Sequence, residues 1–170
     1  MITREVDPGE WVQAATSARA EGFGFFDWLA GVDQSDDEER PGTDVLCHLV
    51  RTDPWERLLL RCRVPEGSAL PSLTGVFAGA AWHERETHEM FGVAVSGFDD
   101  GSGLGLRPLL LPEGFEGHPL RKSFVLAARA SKPWPGAKEP GEGEGGSTRR
   151  APSRRRLAPP GVPDPSWGPR

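Results

Sequence analysis

The sequence predicts an α+β fold: a two-layer domain with a mainly antiparallel sheet and helices packed on one face, then an irregular C-terminal strap and a disordered tail. Three observations lead there. Residues 43–51 and 57–64 alternate apolar and polar side chains with period two, as antiparallel strands with one wet face do. The segments flanking this pair carry apolar residues at helical spacing and stop at glycines. From Arg129 onward, prolines at 133, 135, 140, 152, 159, 160, 163, 165 and 169 exclude regular structure. These features divide the chain into an α+β domain (1–92), an extended docking segment (93–128) and a Pro/Gly/Arg-rich disordered tail (129–170).

The first helix is predicted from its start signals. Asp7 stands at the N-cap, Pro8 at the first helical position and Glu10 where a capping box would place it. Trp11, Ala14, Ala15 and Ala18 supply a thin apolar stripe, and Gly22 is the stop. Residues 22–33, GFGFFDWLAGVD, read as a strand, and 33–42, DQSDDEERPG, as a solvated acidic turn. In the next strand Val45, Cys47 and Leu49 share a face. In the following one Leu58, Leu60, Cys62 and Val64 oppose Leu59, Arg61 and Arg63, with a turn at Asp53-Pro54-Trp55-Glu56 between the two strands. Cys47 and Cys62 are expected nearly opposite each other, as two small buried side chains rather than a redox pair.

After Pro65 the pattern turns helical. Leu73, Val76 and Phe77 follow a Ser72 cap, Gly79 breaks the segment, and a second helix is expected over Ala80–Phe91, ending at Gly92. The predicted order is one helix, three strands and two helices.

That last helix contains WHERETHEMFG, with two histidines and three carboxylates in residues 82–92. A zinc hydrolase would place its histidines at i and i+4 of a helix so that both face one ion. Here His83 and His88 are five apart, roughly 140° around the helix, and they diverge. The local reading is a charged helix face with Glu84–His88 and Arg85–Glu89 pairs at i+4.

Bulk properties narrow the function further. The chain has 170 residues and a formal charge of −5. Residues 129–170 carry nine Lys or Arg against four Asp or Glu, +5, which leaves −10 for residues 1–128. An acidic body does not bind nucleic acid by electrostatics. The basic block RRAPSRRR at 149–156 is too short and isolated to change that reading. Two cysteines without a C-x-x-C pattern cannot hold an iron–sulfur cluster or a zinc ribbon. No signal peptide and no membrane-spanning run is visible, so reduced thiols and attachment to a membrane only through a partner are expected.

The segment 106–124, LRPLLLPEGFEGHPLRKSF, is rich in Gly and Pro yet strongly apolar. Leu106, Leu109, Leu110, Leu111, Phe115, Leu120 and Phe124 are too many for a free loop, while Pro108, Pro112 and Pro119 forbid a helix. Such a stretch must be held by other surfaces, its own domain or another chain.

Two linked motifs, Glu84-Arg85-Glu86 with Glu89-Met90-Phe91-Gly92, and Leu110-Leu111-Pro112-Glu113 with Gly117-His118-Pro119-Leu120-Arg121-Lys122, resemble the peripheral-arm C-subunit family of respiratory complex I, the proton-pumping NADH:quinone oxidoreductase. FFDWLAGVD and LPSLTGVF are similar to the family's first strand and pre-helix segment, and the likeness covers about residues 1–124. The chain departs from the family where Ser123-Phe124-Val125 replaces the usual Asp-Tyr-Pro after Lys122, and where His88 replaces an aromatic residue.

The resemblance implies a protein with no catalytic, cofactor or metal site of its own, inside a complex that uses NADH, FMN, iron–sulfur clusters and quinone. It implies a place in the hydrophilic arm beside the large subunit that forms most of the quinone pocket, peripheral to the cytoplasmic side of the cell membrane. Glu84, Arg85 and Glu86 would form a paired network at an interface. The strap would lie against neighbouring subunits, its path fixed by Gly117 and Pro119, with Arg121 and Lys122 meeting acidic or carbonyl partners. Two alternatives stand beside this reading. One is the equivalent subunit of a membrane-bound hydrogenase or deazaflavin-linked dehydrogenase. The other is a free-standing zinc hydrolase using His83, Glu84 and His88.

Overall fold

The structure, a computed structural model, describes residues 1–125. The tail expected to be disordered, 129–170, with its basic block, lies outside the described residues. Residues Met1–Phe124 make one compact unit. Its elements run β1 (Ile2–Glu5), a 3-10 turn at Pro8–Glu10, α1 (Trp11–Ala20), β2 (Phe25–Gln34), β3 (Gly42–Thr52), β4 (Trp55–Pro65), β5 (Ala69–Pro71), α2 (Ala80–Phe91) and β6 (Ala94–Ser96).

Four strands form the main sheet in the order β1-β4-β3-β2, and β5 pairs with β6 in a small parallel ladder. The β2–β3 and β3–β4 pairs are antiparallel; β1 joins the edge parallel to β4. The alternation in β3 and β4 does what its period requires. Val45, Cys47 and Leu49 meet Leu58, Leu60, Cys62 and Val64 on one face, all nearly or wholly buried. Trp11, Ala15 and Ala18 of α1, and Ala80 and Phe91 of α2, cover that face and complete a single core. Each leucine taken fully out of water there contributes roughly 1.5–3 kcal/mol.

Several expectations change. The predicted order lacked β1, β5 and β6. The first helix does not start from a capping box: neither Asp7 nor Glu10 makes a side-chain cap, because a 3-10 turn that includes Glu10 separates Asp7 from α1. Residues 72–79 are not a helix. Val76 and Phe77 both donate to the Leu73 carbonyl, at 2.8 Å, and the helical spacing is spent in this one turn, which still buries Leu73 and Phe77. Cys47 lies opposite Leu60, and Cys62 opposite Val45, so the two thiols are diagonal rather than facing. Burial pushes both up to about 12, which keeps them protonated and unreactive.

The outer face of the sheet is less wet than its pattern suggests. Asp44 is buried between Arg61 and Arg63, which donate to its carboxylate at 2.7 and 2.5 Å. His48 is buried under Trp28, stacked at 5.3 Å, with Nδ1 2.8 Å from the Asp27 carboxylate.

Candidate functional site

The two sequence motifs meet at α2. This helix ends where Gly92 takes a left-handed conformation, φ +75°, and returns its N–H to the His88 carbonyl at 2.8 Å. The last four carbonyls of a helix have no partner within it. Here the remaining three are satisfied from 29–30 residues downstream. His118 Nδ1 donates to the Glu89 carbonyl (2.9 Å), the Leu120 N–H to that of Met90 (3.1 Å), and Arg121 Nε to that of Phe91 (2.6 Å). The Gly-His-Pro-Leu-Arg run is thus the C-terminal cap of the helix that carries the Glu-Met-Phe-Gly run. The His118 ring lies against Gly92 so closely that a Cβ there would stand 2.5 Å from Nε2.

One turn earlier, α2 grips the strap a second time. The Glu89 carboxylate accepts the backbone N–H groups of Leu109, Leu110 and Leu111 at 2.9, 2.8 and 3.0 Å. Burial alone would raise its pKa, but these three donors together with Arg85 hold it below the usual carboxylate range. Arg85, buried, donates Nε to the Arg107 carbonyl (3.1 Å) and Nη2 to that of Pro108 (2.6 Å). A Gly/Pro-rich stretch with few bonds of its own finds further partners in side chains of one helix. Phe115 closes a turn onto the Pro112 carbonyl at 3.1 Å, and it stacks on Phe124 at 6.0 Å.

The strap's basic end also finds acidic and carbonyl partners, in its own domain. Arg121 pairs with Glu66 at 2.7 Å. The Lys122 N–H donates to buried Asp33 at 2.6 Å, and its ammonium pairs with Asp36. The sequence reading missed Asp33, Asp36 and Glu66; the charge run at 33–42 was the only signal for the first two, and it reads as a solvated turn, while Glu66 had none.

Among the described residues Glu84, Arg85 and Glu86 do not pair with one another. Glu86 is exposed. Glu84 turns inward and accepts from Ser72 Oγ and the Leu73 N–H, both at 2.6 Å. Burial raises its pKa, and those two donors oppose the rise only in part. Among the described ion pairs there is no Glu84–His88 or Arg85–Glu89 pair; all four side chains point to backbone or to the core instead. His83 and His88 are likewise occupied, each giving Nδ1–H to a carbonyl, of Leu29 (3.0 Å) and Val93 (2.9 Å). Among the described residues no three His, Cys, Asp or Glu side chains gather to hold a metal ion.

Met90 packs on the core, and Phe91 lies over Gly31, where a Cβ would stand 2.7 Å from its ring. Leu111 and Pro119 are half-buried, Pro112 and Gly117 exposed. Leu110 and Leu120 face outward, 62% and 54% exposed, although their N–H groups are bonded inward. Chemically the arrangement is a clamp: polar side chains of one helix fix an irregular segment, and that segment finishes the helix.

Comparison with known proteins places this clamp in a family. The C-subunit of the NADH-quinone oxidoreductase of Mesorhizobium japonicum is 40% identical over 126 residues, 74% of this chain and 60% of that protein. The matching NADH-quinone oxidoreductase C-subunit of a Roseiflexus species is 41% identical over 107 residues, 62% of this chain and 58% of that protein. The chain therefore spans little more than half the length of these curated relatives. The solved trypsin-resistant fragment (1–134) of Nqo5 superposes with a TM-score of 0.53 at 25% identity, covering 58% of this chain and 80% of the fragment. A chain of an archaeal membrane-bound sulfane sulfur reductase, a respiratory membrane complex, shares the fold with a TM-score of 0.52 at 16% identity over 60% of each chain. The family model for the 30 Kd subunit of the respiratory-chain NADH dehydrogenase matches residues 4–130, and the chain belongs to that family.

Proposed function

We propose that the chain is a structural subunit of the hydrophilic arm of a proton-translocating NADH-quinone oxidoreductase, packed beside the large subunit that forms most of the quinone pocket. It supports electron transfer from NADH to quinone by holding the arm together. NADH, FMN, the iron–sulfur clusters and quinone are handled by other subunits, and this chain binds none of them. It reaches the cytoplasmic side of the membrane through the complex; no helix among the described residues is long and apolar enough to cross a bilayer.

The observation that carries this reading is the two-sidedness of the strap. Its backbone is fixed inward by Arg85, Glu89 and Met90, and its Arg121 side chain by Phe91, while Leu110 and Leu120 remain outside. A segment ordered in advance loses little entropy when it docks. The described part of the 93–128 segment, residues 93–125, is thus suited to serve as a preformed contact for neighbouring subunits.

The test is affinity purification of the tagged chain from detergent-solubilised membranes, with mass spectrometry and an NADH:quinone assay on the eluate. Recovery of the quinone-pocket subunit with piericidin-sensitive activity supports the proposal; recovery of the chain alone sinks it. The fold shared with the sulfane sulfur reductase chain favours one second reading, the equivalent subunit of a related membrane-bound hydrogenase or deazaflavin-linked dehydrogenase. Hydrogenase-type input subunits in the same eluate would establish that reading instead.

A further inference from the structure

The clamp leaves one side of the α2–strap junction without a role. Trp82, in the first turn of α2, is 67% exposed. The Arg85 guanidinium stands 5.9 Å from its ring and donates to the Pro108 carbonyl. Two residues further along the strap comes Leu110, its N–H held by Glu89. Trp82 and Leu110 therefore project from α2 and from the strap, which the Arg85 and Glu89 side chains tie together, and the frame beneath them is fixed. Large apolar side chains held outward on a rigid frame are what a docking anchor requires, and tryptophan is the residue that most often dominates such contacts.

Exposed carboxylates flank both anchors along the chain. Glu86, one turn after Trp82 and one turn before Glu89, is exposed, and so is Glu113, three residues after Leu110. The nearby cations are engaged elsewhere: Arg85 with two carbonyls, Arg107 with Asp100 at 2.7 Å, Arg121 with Glu66. The surrounding body is acidic as a whole, −10 over residues 1–128 of a chain whose total is −5.

We propose that Trp82 and Leu110, flanked along the chain by Glu86 and Glu113, anchor a docking surface for a partner protein whose contact patch is apolar at its centre and carries Lys or Arg at its edge. The inference rests on the proposed membership of the arm and names the surface and the kind of partner. Charge complementarity selects that occupant. A second copy of this chain would bring carboxylate against carboxylate, which like-charge repulsion disfavours, whereas a basic rim is drawn in and oriented.

The experiment uses the tagged full-length chain, expressed as wild type, as W82A/L110A and as E86K/E113K. Arm subunits retained after purification from detergent-solubilised membranes are quantified by mass spectrometry at low and high ionic strength. A photoreactive benzoylphenylalanine in place of Trp82 identifies the peptide it touches. W82A/L110A is expected to retain at least tenfold less partner with an unchanged melting temperature, since both side chains are exposed. E86K/E113K should retain severalfold less at low salt, and wild-type retention should fall as salt rises. The cross-linked peptide should contain apolar residues flanked by Lys or Arg. Variants that retain partners as well as wild type, or a cross-link to an acidic peptide or to a second copy of the chain, overturn the surface while leaving arm membership intact. A wild-type chain that retains no arm subunit overturns the membership itself, and the surface falls with it.

Discussion

The imidazole of His118 occupies the space that a side chain on Gly92 would need: a Cβ at residue 92 would stand 2.5 Å from Nε2 and 2.6 Å from Cδ2. Residue 92 also has φ +75°, which costs an L-residue roughly 1–2 kcal/mol before any clash is counted. Gly92→Ala should therefore destabilise the domain by about 2–3 kcal/mol in urea denaturation. His118→Ala alone should cost about 1 kcal/mol, through the lost bond to the Glu89 carbonyl. In the His118→Ala background the Gly92→Ala cost should drop to the backbone strain alone. A Gly92→Ala cost that is the same in both backgrounds would mean that the ring moves aside freely.

Glu89 should behave as the fastener of the strap. Glu89→Ala removes the acceptor for three backbone N–H groups, two of them half-buried, and should cost about 2–3 kcal/mol. The loss should be local first, seen as faster hydrogen exchange at Leu109–Leu111 while the β3–β4 amides stay protected. Because the folded pKa of Glu89 lies below its unfolded value, its contribution is complete above the unfolded pKa, about 4.3, and is lost as pH falls through the folded value. Protection at Leu109–Leu111, relative to the intrinsic exchange rate at each pH, should therefore fall in acid in the wild type but not in Glu89→Ala.

Glu84 should show the opposite sign. Its folded pKa is raised by burial, so its stabilising share is complete below the unfolded pKa and is lost as pH rises through the folded one. Glu84→Gln keeps an acceptor and removes the titration. The stability difference between Glu84→Gln and wild type should therefore move in favour of the variant as pH rises from about 4, and then level off. Parallel stability curves for the two proteins would show that Glu84 does not titrate in this range.

The two neighbouring residues of the helix cap should separate sharply. Leu120 contributes its N–H to Met90 and leaves its side chain outside, so Leu120→Ala should stay within about 0.5 kcal/mol of wild type. Arg121 gives its side chain to Phe91 and Glu66, so Arg121→Glu should lose both partners, place two carboxylates together and cost about 2–3 kcal/mol. Thermal melts of the two variants decide the matter; equal melting temperatures would remove Arg121 from the cap.

How far the sequence could be read depends on how far apart the interacting residues are. The β3–β4 pair and the bounds of α2, Ala80–Phe91 with Gly92 as the stop, follow from period and punctuation within a dozen residues. β1 pairs in parallel with a strand more than fifty residues away and has no alternation of its own, so nothing local announces it. β5 and β6 are three residues each, too short for a period to show. The 72–77 turn misleads because i, i+3 and i+4 spacing fits one turn as well as a helix. At the site, the motif residues were legible as a set but not in their roles. The partners of Arg85, Glu89 and His118 are mostly backbone groups, which every residue carries and which no sequence pattern marks.

The shared ownership of the end of α2 has a consequence for the order in which the protein comes into being. A chain made from its N-terminus has the whole helix in hand once Gly92 is joined, yet only His88 among its last four carbonyls can then be answered. The other three wait until His118, Leu120 and Arg121 have been added. For that interval the nascent helix can fray and re-form at its end. Tight closure of this corner is therefore a late event of biosynthesis, coinciding with the emergence of the segment that carries Leu110 and Leu120 outward.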